Sequence, residues 1–307
     1  MKKLFIKLVA LTTLASVSFA LGIPKNHIVS TNWLQKNLGQ KNIVIIDTRK
    51  SEAYSKSHIK NALNLPKRVW FKGKIGNIPK LYDTPQQIEK MFKKAGITNN
   101  SIIVFYSAGI KNKDFADAAS GVWSTYLYGM KKGVILNGGF AKWIEEKRVV
   151  TKIVPNPKPS DFEVEKFDNN IVASLNDIVH AIYDENIQIT DARVSKFYTG
   201  TDKRKDLARH GRIPTAKLTP VIREVKKVGK HFEFLSEKES KKVLHNAGYG
   251  IDLKKPLIIY CNTGHKARGL WFVSKFIDGM KNVKVYDGSM VEYSRTLLPM
   301  ENGESLD

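Results

Sequence analysis

Cysteine is almost missing from this chain: its 307 residues hold one, Cys261. A single thiol excludes an internal disulfide and any site built from several cysteines. The seven histidines show no ligand spacing, so no metal is expected, and no cofactor motif is present. Gly138-Gly139 lacks the pattern of a phosphate-binding loop. Acidic residues are scarce as well, 29 against 51 lysines and arginines, for a formal charge of +22. A cationic surface of this kind reads first as a lysine-rich solvated one, with attraction of anionic substrates as a secondary benefit. The lysines are dispersed in pairs such as Lys93-Lys94, Lys131-Lys132, Lys226-Lys227 and Lys241-Lys242. With no dense basic tail and no recognised nucleic-acid motif, a nucleic-acid partner is not expected. Beyond residue 20 no apolar run is long enough to cross a bilayer, which argues against a stable membrane anchor.

The first twenty residues have a different character. Lys2, Lys3 and Lys7 form a basic start, Leu8 to Val17 is a short apolar stretch, and Ser18-Phe19-Ala20 ends in small residues. This pattern predicts a secretory signal peptide over 1–20, cut after Ala20, and export to a bacterial periplasm, with an uncleaved anchor as the alternative reading. No cysteine stands at the cut to carry a lipid.

What is present centres on Leu257-Ile258-Ile259-Tyr260-Cys261-Asn262-Thr263-Gly264-His265-Lys266-Ala267-Arg268. A strand-like apolar run ends on the lone cysteine, a glycine-bearing loop follows, and Leu270 to Phe276 continues as a buried helix. Strand, tight loop and helix place Cys261 at the C-terminal edge of a sheet, where open α/β folds bind ligands. Backbone N–H groups converging there form an anion nest and favour a nucleophilic thiolate.

The order of motifs then occurs twice. Val44 to Arg49 is a strand ending in Asp47-Thr48-Arg49. It is followed by Tyr54, by His58-Ile59-Lys60-Asn61-Ala62, by a helix from Pro85 to Ala95, and by a strand from Ile102 to Tyr106. Gly133 to Leu136 then leads into Asn137-Gly138-Gly139. In the second half, Ile187 to Arg193 ends in Asp191-Ala192-Arg193. Tyr198, His210 to Pro220, a helix from Ser236 to Gly248, Leu257 to Cys261, and Val283 to Met290 follow in turn. Between the halves Pro155, Pro157 and Pro159 stiffen a polar stretch that reads as a linker over 151–170. The expected organisation is α/β: domains at 21–150 and 171–307, each a small, mostly parallel sheet with helices on both faces.

These residues resemble the rhodanese family in its tandem-domain form, the thiosulfate and 3-mercaptopyruvate sulfurtransferases. The repeated Asp-x-Arg and His-Ile-x-x-Ala type segments, the Cys-x-x-Gly loop and the late glycine turns carry the likeness across nearly the whole chain beyond residue 20. The resemblance implies a six-residue catalytic loop from Cys261 through Asn262, Thr263, Gly264 and His265 to Lys266. It implies double displacement: Cys261 takes the outer sulfur of a small anionic donor as a persulfide and passes it to cyanide or a thiol, a protein thiol included. Asn262 and Thr263 are small and neutral, as in mercaptopyruvate-type loops, while His265 and Lys266 are bulkier and cationic. Lys266 either binds the donor or faces solvent, and His265 contacts substrate or supports the loop in preference to acting as a general base, since a thiolate needs no base once formed. Arg193 either reaches the pocket or pairs with Asp191. Aligning Gly109 with Gly264 puts Tyr106 at the cysteine position, so the first domain is expected to be non-catalytic, with His58 and Arg49 contributing to the cleft. Arg212 stands where the family usually has histidine.

A related cysteine phosphatase needs arginine five residues beyond the cysteine's successor, to clamp phosphate from the loop's end. Ala267 holds that place and Arg268 comes one residue late, which counts against it. The alternative in another class is a non-catalytic sulfur carrier or partner-binding module, which the same sequence would serve.

Overall fold

The computed structural model describes residues 22–246 and 250–303, so the segment read as a signal peptide lies outside the described residues. The first half runs β1 (Ile28–Val29), β2 (Ile43–Asp47), β3 (Ala62–Asn64), β4 (Gly73–Ile75), β5 (Ile78–Leu81), β6 (Ile102–Tyr106) and β7 (Gly133–Leu136). Its sheet has the order β1-β7-β6-β2-β3 with every neighbouring pair parallel; β4 and β5 form a separate antiparallel hairpin. The second half runs β8 (Val172–Ala173), β9 (Gln188–Asp191), β10 (Lys217–Leu218), β11 (Val225–Val228), β12 (His231–Phe234), β13 (Leu257–Tyr260) and β14 (Val283–Tyr286). It repeats the plan as β8-β14-β13-β9-β10, with β11 and β12 as the outlying hairpin. Two α/β units of one plan in tandem are thus present, as the sequence predicts.

The strands owe their place to alternation. Successive side chains leave a strand on opposite faces. In β6, Ile103 and Phe105 enter a core shared by both halves, while Ile102, Val104 and Tyr106 enter an outer core. In β13, Leu257 and Ile259, and after them Cys261, turn to the shared core, and Ile258 and Tyr260 turn outward. The period of two therefore aims the thiol side toward the other domain.

Helices close the frame. Helix α1 (Pro85–Lys94) starts where Thr84 accepts from the Gln87 N–H and Gln87 reciprocates, a capping box, and stops at Gly96 with φ +67°. Helix α2 (Phe115–Leu127) is buried along nearly its whole length. It lies between its own sheet and helix α4 (His265–Phe272) of the second half, helix α3 (Glu237–Asn246) standing further out. The crossing is close because Gly269 faces Ala116: a Cβ on Gly269 would come 3.0 Å from the Ala116 Cβ. Aromatic edges fill the rest, with Tyr126 and Trp271 rings 5.7 Å apart.

The proline-bearing stretch is a strap along the first half. Phe162 is fully buried with its ring 4.9 Å from Phe92, the Ser160 N–H donates to Lys93, and the Asp168 N–H donates to Leu127. Arg212 also acquires a role, since its guanidinium holds Glu301 and the Gly303 carbonyl and so ties down the C-terminal segment.

Candidate active site

Cys261 follows directly on β13, a central strand, and is 2% exposed. The loop after it is fixed from the opposite turn. The Met290 N–H donates to the Cys261 carbonyl at 3.1 Å and the Val291 N–H to the Asn262 carbonyl at 3.0 Å. Ser289 Oγ accepts from the N–H groups of Cys261 (3.1 Å) and Gly264 (3.0 Å) and donates to the Tyr286 carbonyl at 2.8 Å. Gly264, at φ +74°, turns the chain into α4, and a Cβ there would strike Asp287 Oδ1 at 2.7 Å. The first turn of α4 leaves N–H groups without intrahelical partners, which supplies the anion-stabilising end.

The cysteine opens on a cavity of about 520 Å³ between the domains. The second domain contributes Cys261, Asn262, Thr263, His265, Lys266, Arg268 and Arg204; the first contributes Lys67, Arg68, Phe71 and Lys80. Among the described residues no carboxylate lines it. Burial pushes Lys67 and Lys266 below the ordinary lysine range, with the Cys261 charge opposing the shift in each. Arg268 is buried, paired with Asp287, and lies 3.5 Å over the Phe71 ring centroid, so it braces the wall as well as charging it. Burial raises the Asp287 carboxyl against the pull of Arg268. Arg204 is held by Asp206 at 2.6 Å. His265 Nε2 lies 2.8 Å from Asp117 Oδ1 of the first domain, and Lys67 Nζ lies 3.8 Å from that same oxygen.

The residues singled out in the sequence divide. Cys261, Asn262, Thr263, His265 and Lys266 line the cavity, and Gly264 shapes the loop. Arg193 lies beneath it, fully buried, with Nε on Asp191 at 2.8–2.9 Å, Nη2 on the Gly211 carbonyl at 2.7 Å and Nη1 on Asn262 Oδ1 at 3.3 Å. It positions Asn262 and does not line the cavity. His58 is a correction: it is fully buried, with Nδ1 on the Tyr54 carbonyl and Nε2 on the Ile153 carbonyl, outside the cavity. Arg49 pairs with Asp47 and covers the Phe140 ring, also outside it. Lys67, Arg68, Phe71, Lys80, Arg204 and Arg268 escaped the sequence reading. The Lys67-Arg68 pair was the available signal, and a lysine-rich chain concealed it.

The first domain needs a second correction. Asp47 pairs with Tyr106 just as Asp191 pairs with Tyr260, so Tyr106 matches Tyr260 and Ser107 takes the cysteine's place. The bonds agree, since Phe140 and Ala141 N–H groups donate to Ser107 and Ala108 as Met290 and Val291 donate to Cys261 and Asn262. The loop is one residue shorter before its glycine, which misled the alignment. This counterpart site is filled. The Phe232 N–H donates to the Gly109 carbonyl, the Phe234 N–H donates to Asn137 Oδ1, and only about 10 Å³ stays open.

Comparison with known proteins agrees with this architecture. The profile of the Rhodanese-like domain matches residues 30–146 and 174–296. A protein of Saccharopolyspora erythraea named "Putative thiosulfate sulfurtransferase" is 30% identical over 281 residues, covering 90% of this chain and 96% of that one. The sulfur carrier protein TtuD of Thermus thermophilus is 28% identical over 288 residues, 90% of this chain and 97% of its own. Among solved structures, SseA from Escherichia coli, described among 3-mercaptopyruvate sulfotransferases, superposes with a TM-score of 0.74 at 23% identity over 86% of this chain and 98% of its own. With the profile matched in both halves and the cysteine loop at the cleft between them, the chain belongs to the rhodanese family in its tandem-domain form.

Proposed function

We propose that the protein is a sulfurtransferase that moves a sulfane sulfur from thiosulfate or 3-mercaptopyruvate, through a Cys261 persulfide, to a thiophilic acceptor such as cyanide or a thiol. The observation that carries the reading is the cleft: one nucleophile at the end of a central strand, faced by six cationic side chains and no carboxylate. The Cys261 thiolate attacks the outer sulfur of thiosulfate and the S–S bond breaks with its pair leaving on sulfite. With 3-mercaptopyruvate it attacks the thiol sulfur, the C–S bond breaks with its pair on the carbon of pyruvate enolate, and the thiol's proton passes to that carbon. Cations fixed before the donor arrives stabilise the anion that departs. Their density favours the dianionic thiosulfate over the singly charged mercaptopyruvate. The names borne by the relatives from Saccharopolyspora and Escherichia support the two donor types. The test is steady-state thiocyanate formation from cyanide with each donor. Turnover that is faster with thiosulfate and lost in Cys261→Ser supports the reading; no turnover with either donor overturns it.

A second reading, sulfur carriage to a protein thiol, is favoured by the likeness to TtuD. It shares the persulfide and differs in the acceptor. The basic and apolar pattern of residues 1–20 supports export to the periplasm, and cell fractionation tests it. Among the described residues no helix is long and apolar enough to cross a membrane.

A further inference from the structure

We infer that His265, held by Asp117 of the opposite domain, accepts the proton of a thiol acceptor as that thiol removes sulfur from Cys261. The inference rests on the sulfur-transfer reading and names the group that would favour thiols in its second half. His265 is the first residue of α4 and lines the same cavity as Cys261 and Lys266. Its Nε2 is sealed from solvent and lies 2.8 Å from Asp117 Oδ1. Nε2 has no aligned hydrogen-bond partner among the described residues, yet a nitrogen lone pair and a carboxylate oxygen repel at that separation, which assigns the ring proton to Nε2 on the Asp117 side. In the neutral ring the lone pair then belongs to Nδ1, for which no bonded partner stands among the described residues. Asp117 projects from α2, so the tautomer of a loop residue is set by the domain that lacks the nucleophile.

The charged groups around the ring favour its neutral form. Burial lowers its affinity for a second proton; Asp117 opposes, and Lys67 and Arg268 push further down. The remaining cavity cations are lysines and arginines, and among the described residues no carboxylate lines the space. A thiol of ordinary pKa is mostly protonated at neutral pH and is a poor nucleophile until that proton leaves. The acceptor R–SH gives its proton to His265 Nδ1, its sulfur pair forms a bond to the outer sulfur of the persulfide, and the Cys261–S bond to that sulfur breaks with its pair returning to Cys261. The products are R–S–S⁻, the Cys261 thiolate and an imidazolium paired with Asp117. Sulfite dianion makes the same bond with no proton to lose, so it needs no such group.

The test separates the half-reactions. Cys261 is loaded with thiosulfate, freed of excess donor and checked by mass; the persulfide is then discharged by dithiothreitol or by sulfite at mildly alkaline pH. His265→Ala is expected to lower the ratio of the dithiothreitol rate to the sulfite rate on the order of 100-fold, the usual worth of a positioned proton acceptor. Asp117→Asn, which keeps the shape and removes the charge, lowers that ratio by about tenfold. Imidazole added to His265→Ala restores the dithiothreitol rate selectively. A ratio unchanged in His265→Ala, or equal loss with both acceptors and no imidazole rescue, overturns the inference and leaves sulfur transfer standing. Failure of the wild-type thiol to load overturns both.

Discussion

At Ser289 the backbone sits at φ +49°, where its counterpart in the first domain is Gly139 at φ +57°. A left-handed conformation costs a non-glycine residue about 1–2 kcal/mol, so the side chain must return more than that. It does so by accepting from both Cys261 and Gly264, which pins the two ends of the turn. Ser289→Ala keeps the strained backbone and strands two buried donors. The expected loss is about 2–4 kcal/mol in thermal unfolding, with slower loading of Cys261. Ser289→Gly relieves the strain and loses less. Equal melting of Ser289→Ala and wild type contradicts this account. At the mouth of the cleft, Lys67→Gln removes a cation whose charge interacts with Cys261 and Asp117. The KM for thiosulfate is expected to rise about tenfold, some 1.4 kcal/mol, and the dependence on ionic strength to weaken. An unchanged KM places the donor elsewhere. Of these residues the sequence disclosed the loop, because strand, cysteine and glycine are contiguous. It did not disclose Lys67 or Lys80, whose relation to Cys261 exists only after the domains dock. His58 misled for a common reason: a histidine bound between two carbonyls looks, in sequence, like one facing a substrate.

Helix α2 and helix α4 form the joint that gives the cleft its width. Ala116 and Gly269 allow the close approach, and the same two helices carry Asp117 and His265. Gly269→Leu forces a large side chain against Ala116 and Val221, both fully buried. The expected result is a loss of about 1–3 kcal/mol, typical of overpacking, together with a lower rate of Cys261 loading as the helices part. A variant that melts lower but loads at the wild-type rate would show that helix spacing does not set the site. Element positions were largely legible, since the apolar runs of β6 and β13 and the Thr84–Gln87 cap are local signals. The reciprocal use of hairpins was not: β11–β12 fills the first domain's counterpart site, whereas Lys80 of β5 borders the open one. Nothing local in either hairpin states which site it will cover.

Over the whole molecule, the repeated plan leaves one open site and one closed one, with positive charge gathered at the open cleft. The second domain also buries a pair of acids apart from the site. Burial first, then Asp278, raises Glu224 to about 8, and burial raises Asp278 to about 7. The Ser240 hydroxyl donates to Glu224 at 3.0 Å, and one hydroxyl proton cannot serve both, so Glu224 Oε1 and both Asp278 oxygens have no hydrogen-bond partner among the described residues. Both folded-state values lie above the unfolded ones. Their stabilising contribution is therefore full below the ordinary carboxylate range and is lost as pH rises toward 7 and 8. Denaturation curves across that window should show stability falling with pH by up to about 1.4 kcal/mol per unit for each proton, and Glu224→Gln should flatten the fall. A wild-type profile that rises through the window contradicts it.

The central claim, that Cys261 carries sulfur, is tested most directly by the intact mass of the protein after exposure to thiosulfate. The account predicts a gain of one sulfur, about 32 Da, that cyanide removes as thiocyanate and that Cys261→Ser does not acquire. A wild-type mass unchanged by thiosulfate and by 3-mercaptopyruvate, with the thiol still free to alkylation, contradicts it.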